Sequence, residues 1–178
     1  MRRRPTDDGS GADPRRGKDA VMTTADPAGT RARLVVKPVS ERGGSVDGAW
    51  WPRSTDPAAE FPGLVAALDV EGGVRAISYH LRTWDRTERV LLLDSGAVTL
   101  NGYHNTQPDT VTVLLDDHHR LRLLVVPPPT PAGLANAVLR ATATCDRAAT
   151  VQDILAGNGI VPGTNPGSAP QAPVPEHF

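Results

Sequence analysis

Two adjacent tryptophans, Trp50 and Trp51, constrain the fold of this 178-residue chain more than any other feature. Aromatic residues make up only 4% of the sequence, so two neighbouring indoles are a large share of its bulky side chains. They stand between Gly48 and Pro52, at the end of a run that predicts a β-strand. Because neighbouring residues of a strand point to opposite faces, at most one of them easily enters a single core. We expect the other indole at a surface, an interface or a ligand.

Length and composition predict one domain between two unfolded tails. Residues 1–30 are polar and rich in Gly, Pro and charge, without a periodic apolar pattern, which is typical of disorder. Residues 157–178 have the Pro/Gly-rich composition of a linker. Residues 31–156 form the predicted domain. Met22 resembles a second start, so residues 1–21 are interpreted as an over-extended N-terminus.

Charge and cysteine content narrow the function classes. The net charge is -1, which disfavours a general nucleic-acid or anionic-membrane binder. Cys145 is the only cysteine, so the chain has no internal disulfide and does not require an oxidising compartment. No stretch approaches 18 apolar residues, which predicts no membrane span. We therefore expect a cytoplasmic protein.

The apolar pattern predicts an α+β domain with a mostly antiparallel sheet of about six to seven strands and two main helices on one face. Asp56 and Pro57 predict the start of the first helix, which carries apolar residues at helical spacing from Phe61 to Leu68. A second helix is predicted from Pro131. The predicted strands, of which the last five form a meander, are residues 33–37, 46–51, 74–84, 89–93, 97–103, 110–115 and 120–126.

The run from Val46 to Ser54, which contains DGAWWPRS, resembles the signature of an actinobacterial family of unknown function. The similarity covers about residues 31–145. It continues through Ala59-Glu60, Leu64-Val65, Tyr79, Trp84 and Leu124 to Pro128. The resemblance implies an actinobacterial, cytoplasmic setting and carries no mechanism.

The segment from Trp50 to Arg53 allows two interpretations. As a binding site, one indole offers a stacking surface and Arg53 offers a donor to an anion or carboxylate. As structure, one indole fills the core while the other covers a sheet edge, and Arg53 pairs with Asp47 or Asp56. The two interpretations are compatible with each other.

His80, Arg82 and Trp84 are the other candidate binding residues. Strict alternation along the predicted strand 74–84 places them on one face with Ser78. If this face lines a cleft, His80 is a candidate acid or base. Otherwise the row is the solvated side of a sheet.

No catalytic residue, metal ligand set or cofactor is predicted. His80, His104, His118 and His119, with Asp116 or Asp117, would have to converge to bind a metal, and their spacing matches no known metal motif. No serine lies in a Gly-x-Ser-x-Gly motif, and no phosphate-binding loop is present.

Three hypotheses about function follow. The leading one is a non-enzymatic module that binds a partner protein or a small ligand around Trp50-Trp51-Pro52-Arg53, with homodimerisation through the sheet or a strand edge as one form. The second is a small enzyme with a pocket between sheet and helices, using His80 or His104 and Arg53. The third is a structural protein whose function resides in an oligomer interface.

Overall fold

The computed structural model describes residues 22–25, 32–68 and 73–162. Most of the two predicted tails, 1–30 and 157–178, lies outside these residues. From the first tail the structure describes Met22–Ala25, which form a strand. From the second it describes residues 157–162, which end the last helix and continue just beyond it.

The strands form one sheet in the spatial order β1-β2-β3-β8-β7-β4-β6-β5. β3 runs parallel to β8, and β4 runs parallel to β6, while the other neighbours are antiparallel. The α+β class is confirmed, but the sheet is mixed rather than mostly antiparallel. The strands are β1 (Met22–Ala25), β2 (Ala32–Val36), β3 (Gly48–Trp50), β4 (Val74–His80), β5 (Val90–Leu93), β6 (Gly96–Tyr103), β7 (Thr110–Leu115) and β8 (Arg120–Val125).

The predicted five-strand meander is wrong in its order. β4 lies between β7 and β6, and β5 lies beyond β6 at the edge of the sheet. The chain leaves β4, passes to the outside and returns through the β5–β6 hairpin, which makes β6 parallel to β4. Apolar alternation depends on which face of a strand is buried, and not on which strand lies beside it. The sequence pattern therefore locates these strands without ordering them.

Three helices accompany the sheet, and their starts follow ordinary capping chemistry. They are α1 (Pro57–Leu68), α2 (Ala132–Thr144) and α3 (Val151–Gly157). At the start of α1, the predicted Asp56 cap accepts a hydrogen bond from the backbone N–H of Ala58 at 2.9 Å. Thr150 and Asp153 form a reciprocal capping box at the start of α3. Hydrogen bonds from the Thr150 side chain and then its backbone lower the pKa of Asp153.

The helices cover opposite faces of the sheet, so the prediction of two helices on one face is wrong. α1 contributes Phe61 and Leu64 to a first core that includes Leu123 of β8. α2 and α3 cover a second core that includes Leu124. Leu123 and Leu124 are neighbours on one strand and therefore point to opposite faces. The domain is a three-layer arrangement with a separate apolar core on each side of the sheet.

Buried polar groups fasten β2 and β3 to their surroundings. The Lys37 Nζ is buried and donates a hydrogen bond to the carbonyl oxygen of Cys145, at the negative end of α2. The Asp47 carboxylate accepts hydrogen bonds from the backbone N–H groups of Gly43 and Arg122, each at 2.9 Å. At Gly48 a Cβ would collide with the carbonyl oxygen of Val35 on β2, so only glycine lets these strands approach so closely. These contacts position the start of β3, and with it the tryptophan pair.

Candidate functional site

Trp50 lies inside the first core, where it is 5% exposed. Its ring stacks on Trp84, with centroids 5.5 Å apart and planes inclined by 14°. Phe61 packs against both indoles, at 6.0 Å from Trp50 and 4.8 Å from Trp84. Tyr79 closes the group at 5.5 Å from Phe61, and burial raises the pKa of its phenol. We call Trp50, Phe61, Tyr79 and Trp84 the aromatic cluster.

Trp51 lies in the second core and is 9% exposed. Its indole N–H donates to the carbonyl oxygen of Pro128 at 3.3 Å. Arg33 lies over the ring, with its guanidinium carbon 4.0 Å from the centroid. The same guanidinium donates to the carbonyl oxygens of Trp51 and Pro52. Burial lowers the pKa of Arg33, while the nearby Glu60 carboxylate opposes that shift.

The expectation of one exposed indole is therefore wrong. Alternation does send Trp50 and Trp51 to opposite faces of the sheet, as predicted. Each face, however, carries its own core, so both side chains are buried within a single chain. A stacking surface for a ligand is not offered by either ring in this conformation.

The loop after Trp51 is fastened to the first turn of α1. Glu60 accepts hydrogen bonds from the Arg53 backbone N–H at 3.0 Å and from the Ser54 hydroxyl at 2.9 Å. Thr55 donates its hydroxyl to Asp85 at 2.8 Å, which joins this loop to the segment that carries Trp84. The Arg53 side chain is exposed. Asp47, one of its predicted partners, accepts hydrogen bonds from two backbone N–H groups.

His80, Arg82 and Trp84 do not share a strand face, which corrects the predicted polar row. β4 ends at His80, and the chain then turns. Trp84 thereby joins the core on the Tyr79 side, while Arg82 is exposed. Strand alternation fails here because it holds only while the backbone stays extended.

The His80 ring is fully engaged in backbone hydrogen bonds. It is 3% exposed. Its Nδ1 accepts from the Arg82 N–H at 3.0 Å, and its Nε2 lies 2.9 Å from the carbonyl oxygen of His104. With Nδ1 as acceptor, the proton resides on Nε2, which donates to that carbonyl. In this geometry the ring ties the end of β4 to the loop after β6.

The other histidines of the described residues, His104, His118 and His119, lie outside the strands. His118 and His119 are exposed in the β7–β8 turn, where His119 Nδ1 is 3.7 Å from an Asp117 carboxylate oxygen. Across residues 22–25, 32–68 and 73–162 no group of three or more His, Cys, Asp or Glu side chains could hold a metal ion.

A narrow cleft opens beside the aromatic cluster. Its apolar rim is built by Pro52, Pro108, Pro127 and Pro128. Trp84 lies at its wall, together with the Ser54, Thr55 and Asp109 side chains. The free volume is about 20 Å³, roughly the room for one water molecule. We call this feature the Trp84 cleft.

Trp84, which lines the cleft, carries an unusual polar atom in its Nε1. It is buried and has no hydrogen-bond partner, alone among the buried side-chain nitrogens and oxygens of the described residues. The Ser54 and Thr55 hydroxyls already donate to Glu60 and Asp85. A buried unpaired donor costs about 1–3 kcal/mol. An acceptor that reached this N–H would recover that free energy, so the arrangement favours binding of a group with a lone pair.

Some residues that line this cleft carried a sequence signal and others did not. Pro52 and Trp84 belonged to the predicted site or its motif, whereas Pro127 and Pro128 were interpreted only as the stop of a strand. Pro108 and Asp109 carried no signal, because they reach the cleft only through the β6–β7 connection.

The fold defines a small α+β protein with a mixed sheet and a separate apolar core on each face of that sheet. The chain belongs to the family of unknown function DUF5994, whose model matches residues 33–142. This confirms the resemblance to a family of unknown function. No curated protein and no solved structure matches the chain. Within the described part of the chain, no helix has the length and apolarity to cross a membrane.

Proposed function

We propose that the protein is a non-enzymatic binding module, and that its site is the Trp84 cleft. The occupant is a peptide segment of a partner protein, which inserts one backbone carbonyl oxygen toward the Trp84 N–H. The observation that carries the proposal is the unpaired, buried indole nitrogen of Trp84, a residue that lines an apolar cleft. Native structures seldom leave such a donor without an acceptor.

The size of the cleft favours a peptide group over a whole small molecule. Sites for cofactors and drug-sized ligands enclose roughly 300–1,000 Å³. A free volume of about 20 Å³ admits a single polar group, while the rest of its molecule lies across the rim. The proline rings of the rim give an apolar surface against which the residues on either side of that group can lie.

The charges around the cleft favour a neutral acceptor. The carboxylates of Glu60 and Asp85 accept hydrogen bonds from the Ser54 and Thr55 hydroxyls, which belong to residues that line the cleft. A carboxylate or phosphate would enter beside these two carboxylates, whereas a peptide carbonyl carries no net charge. Because the Trp84 nitrogen is itself buried, the rim side chains move aside when the carbonyl enters.

The proposed centre of binding is Trp84, whereas the sequence predicted the segment from Trp50 to Arg53. Trp50 supports the site by stacking on Trp84, and Pro52 forms part of its rim. Arg53 follows Pro52 and is exposed, so it is placed to contact the outer part of a bound segment. The structural residues around the site are then Trp51, His80 and Arg82. The enzyme hypothesis has less support, because both His80 nitrogens are engaged in backbone hydrogen bonds.

The proposal also includes the cellular location and the source of the protein. We infer a cytoplasmic protein of actinobacterial origin, on the resemblance of the run from Val46 to Ser54 and on the near-neutral net charge of -1. The same charge balance supports a protein partner over nucleic acid.

The proposal is tested with a panel of short blocked peptides, with and without proline, titrated into the full chain by calorimetry. Trp84→Phe removes the N–H and keeps an aromatic ring. We expect this variant to bind the best peptide about tenfold more weakly or worse. Val39→Ala, at an exposed position outside the cleft, serves as the control and retains binding. Equal binding by Trp84→Phe, or no binding by any peptide, would overturn the proposal.

A further inference from the structure

β5 is the last strand of the sheet. One of its edges pairs with β6, and the other edge pairs with no other described strand. The backbone N–H of Leu100 donates to the carbonyl oxygen of Arg89 at 2.7 Å, and Val90 lies opposite Thr99. Hydrogen-bonded and non-hydrogen-bonded pairs alternate along an antiparallel ladder. The N–H and C=O groups of Val90 and Leu92 therefore point away from β6, toward the open edge.

The same two residues carry exposed apolar side chains. Leu92 is 81% exposed and Val90 is 50% exposed. Leu91 and Leu93 alternate with them and pack against the first core. Natural edge strands are usually protected by lysine, proline or a bulge. β5 reads Val-Leu-Leu-Leu and pairs with β6 in an uninterrupted register, so its shortness, at four residues, is the one protective feature of the strand itself.

We propose that a second copy of this chain pairs antiparallel with β5 and continues the sheet across a two-fold axis. Residues directly opposite each other in one sheet must lie on the same face. Pairing Leu91 with the partner's Leu91 meets this condition and places Val90 opposite the partner's Leu92. The outward groups of Val90 and Leu92 then exchange hydrogen bonds with those of the partner at both ends of the pair.

The charges that flank β5 favour a second copy over an unrelated strand. Arg89 immediately precedes the strand, and Asp94 immediately follows it; both are exposed. Antiparallel self-pairing brings Arg89 next to the partner's Asp94 at both ends of the interface. A net charge of -1 per chain adds little repulsion between two copies.

The first test is sedimentation velocity of the full chain over a concentration series, which gives the dimer dissociation constant. Leu92→Pro removes an outward N–H without removing a hydrogen bond to β6. We expect it, and Leu92→Lys, to raise that constant about tenfold or more. Val39→Lys places the same charge at another exposed apolar position and leaves the constant unchanged.

Charge reversal provides a second test that does not alter the strand itself. Arg89→Asp and Asp94→Arg should each weaken the dimer, and the double variant should restore it, because opposite charges again meet at both ends. Far-UV circular dichroism verifies that each variant is folded. A monomer at every concentration overturns the proposal. So does a dimer that both Leu92 variants and both single charge reversals leave unchanged.

Discussion

The substitution Trp84→Phe makes the consequence of an unpaired indole measurable. Phenylalanine lacks part of the indole ring, and the lost burial costs about 2 kcal/mol at roughly 0.8 kcal/mol per carbon. The substitution also removes the buried donor that has no partner, which relieves about 1–3 kcal/mol. The two effects oppose each other, so we expect the free energy of unfolding to change by about 1 kcal/mol or less.

Trp51→Phe is the matched control for this prediction. It removes the same atoms, but its N–H donates to the Pro128 carbonyl oxygen at 3.3 Å. The loss of burial and the loss of this hydrogen bond then add, and the expected cost is about 3 kcal/mol. The weaker interaction of Arg33 with a benzene ring adds to that cost.

Urea denaturation followed by far-UV circular dichroism measures both variants without relying on tryptophan fluorescence. The expected result is that Trp51→Phe is destabilised more than Trp84→Phe by about 3 kcal/mol. Equal destabilisation of the two variants would refute the reasoning, because it would mean that the Trp84 N–H has an acceptor in the free protein.

Three further predictions concern the two cores, the capping box of α3 and the close approach of β2 and β3 at Gly48. A double-mutant cycle should give a coupling free energy of about 0.5–1.5 kcal/mol between Trp50→Ala and Trp84→Ala, because these two rings stack on each other. The coupling between Trp50→Ala and Trp51→Ala should be about zero, because these rings lie in separate cores. The pKa of Asp153 is lower in the folded protein than its ordinary value of 3.8, so its stabilisation of α3 is present above pH 3.8 and is lost as pH falls through the lower folded pKa. Urea titrations across this pH range should show the loss of stability. Asp153→Asn should abolish that pH dependence. Gly48→Ala should cost about 1–3 kcal/mol in the same denaturation assay, because its Cβ meets a β2 carbonyl, and a neutral result would contradict the close approach.

The elements of this fold were largely predictable because their signals are local. The helix start at Asp56-Pro57 depends on a side chain that accepts one nearby N–H, and the structure has that hydrogen bond. Residues 110–115 form a strand with the predicted bounds. The order of the strands was not predictable, since the parallel pairs β3–β8 and β4–β6 depend on contacts between distant segments.

The candidate site was only partly predictable for the same reason. The rarity of tryptophan directed attention to Trp50 and Trp51, yet each of them is buried, Trp50 in the core on one face of the sheet and Trp51 in the core on the other. Trp84 was assigned to a strand that in fact ends at His80, so its place at the cleft depends on a turn. An unpaired N–H has no sequence signal, because it is defined by the atoms that surround it in three dimensions.

Nuclear magnetic resonance of the three tryptophan indole groups, labelled with ¹⁵N, tests the central claim most directly. The Trp84 signal is assigned by its absence in Trp84→Phe. As the best-binding peptide of the panel saturates the protein, the Trp84 N–H proton should shift strongly downfield, because it gains a carbonyl acceptor. The Trp51 signal, already bonded to Pro128, should move much less. A peptide that binds while the Trp84 signal stays in place would contradict the account.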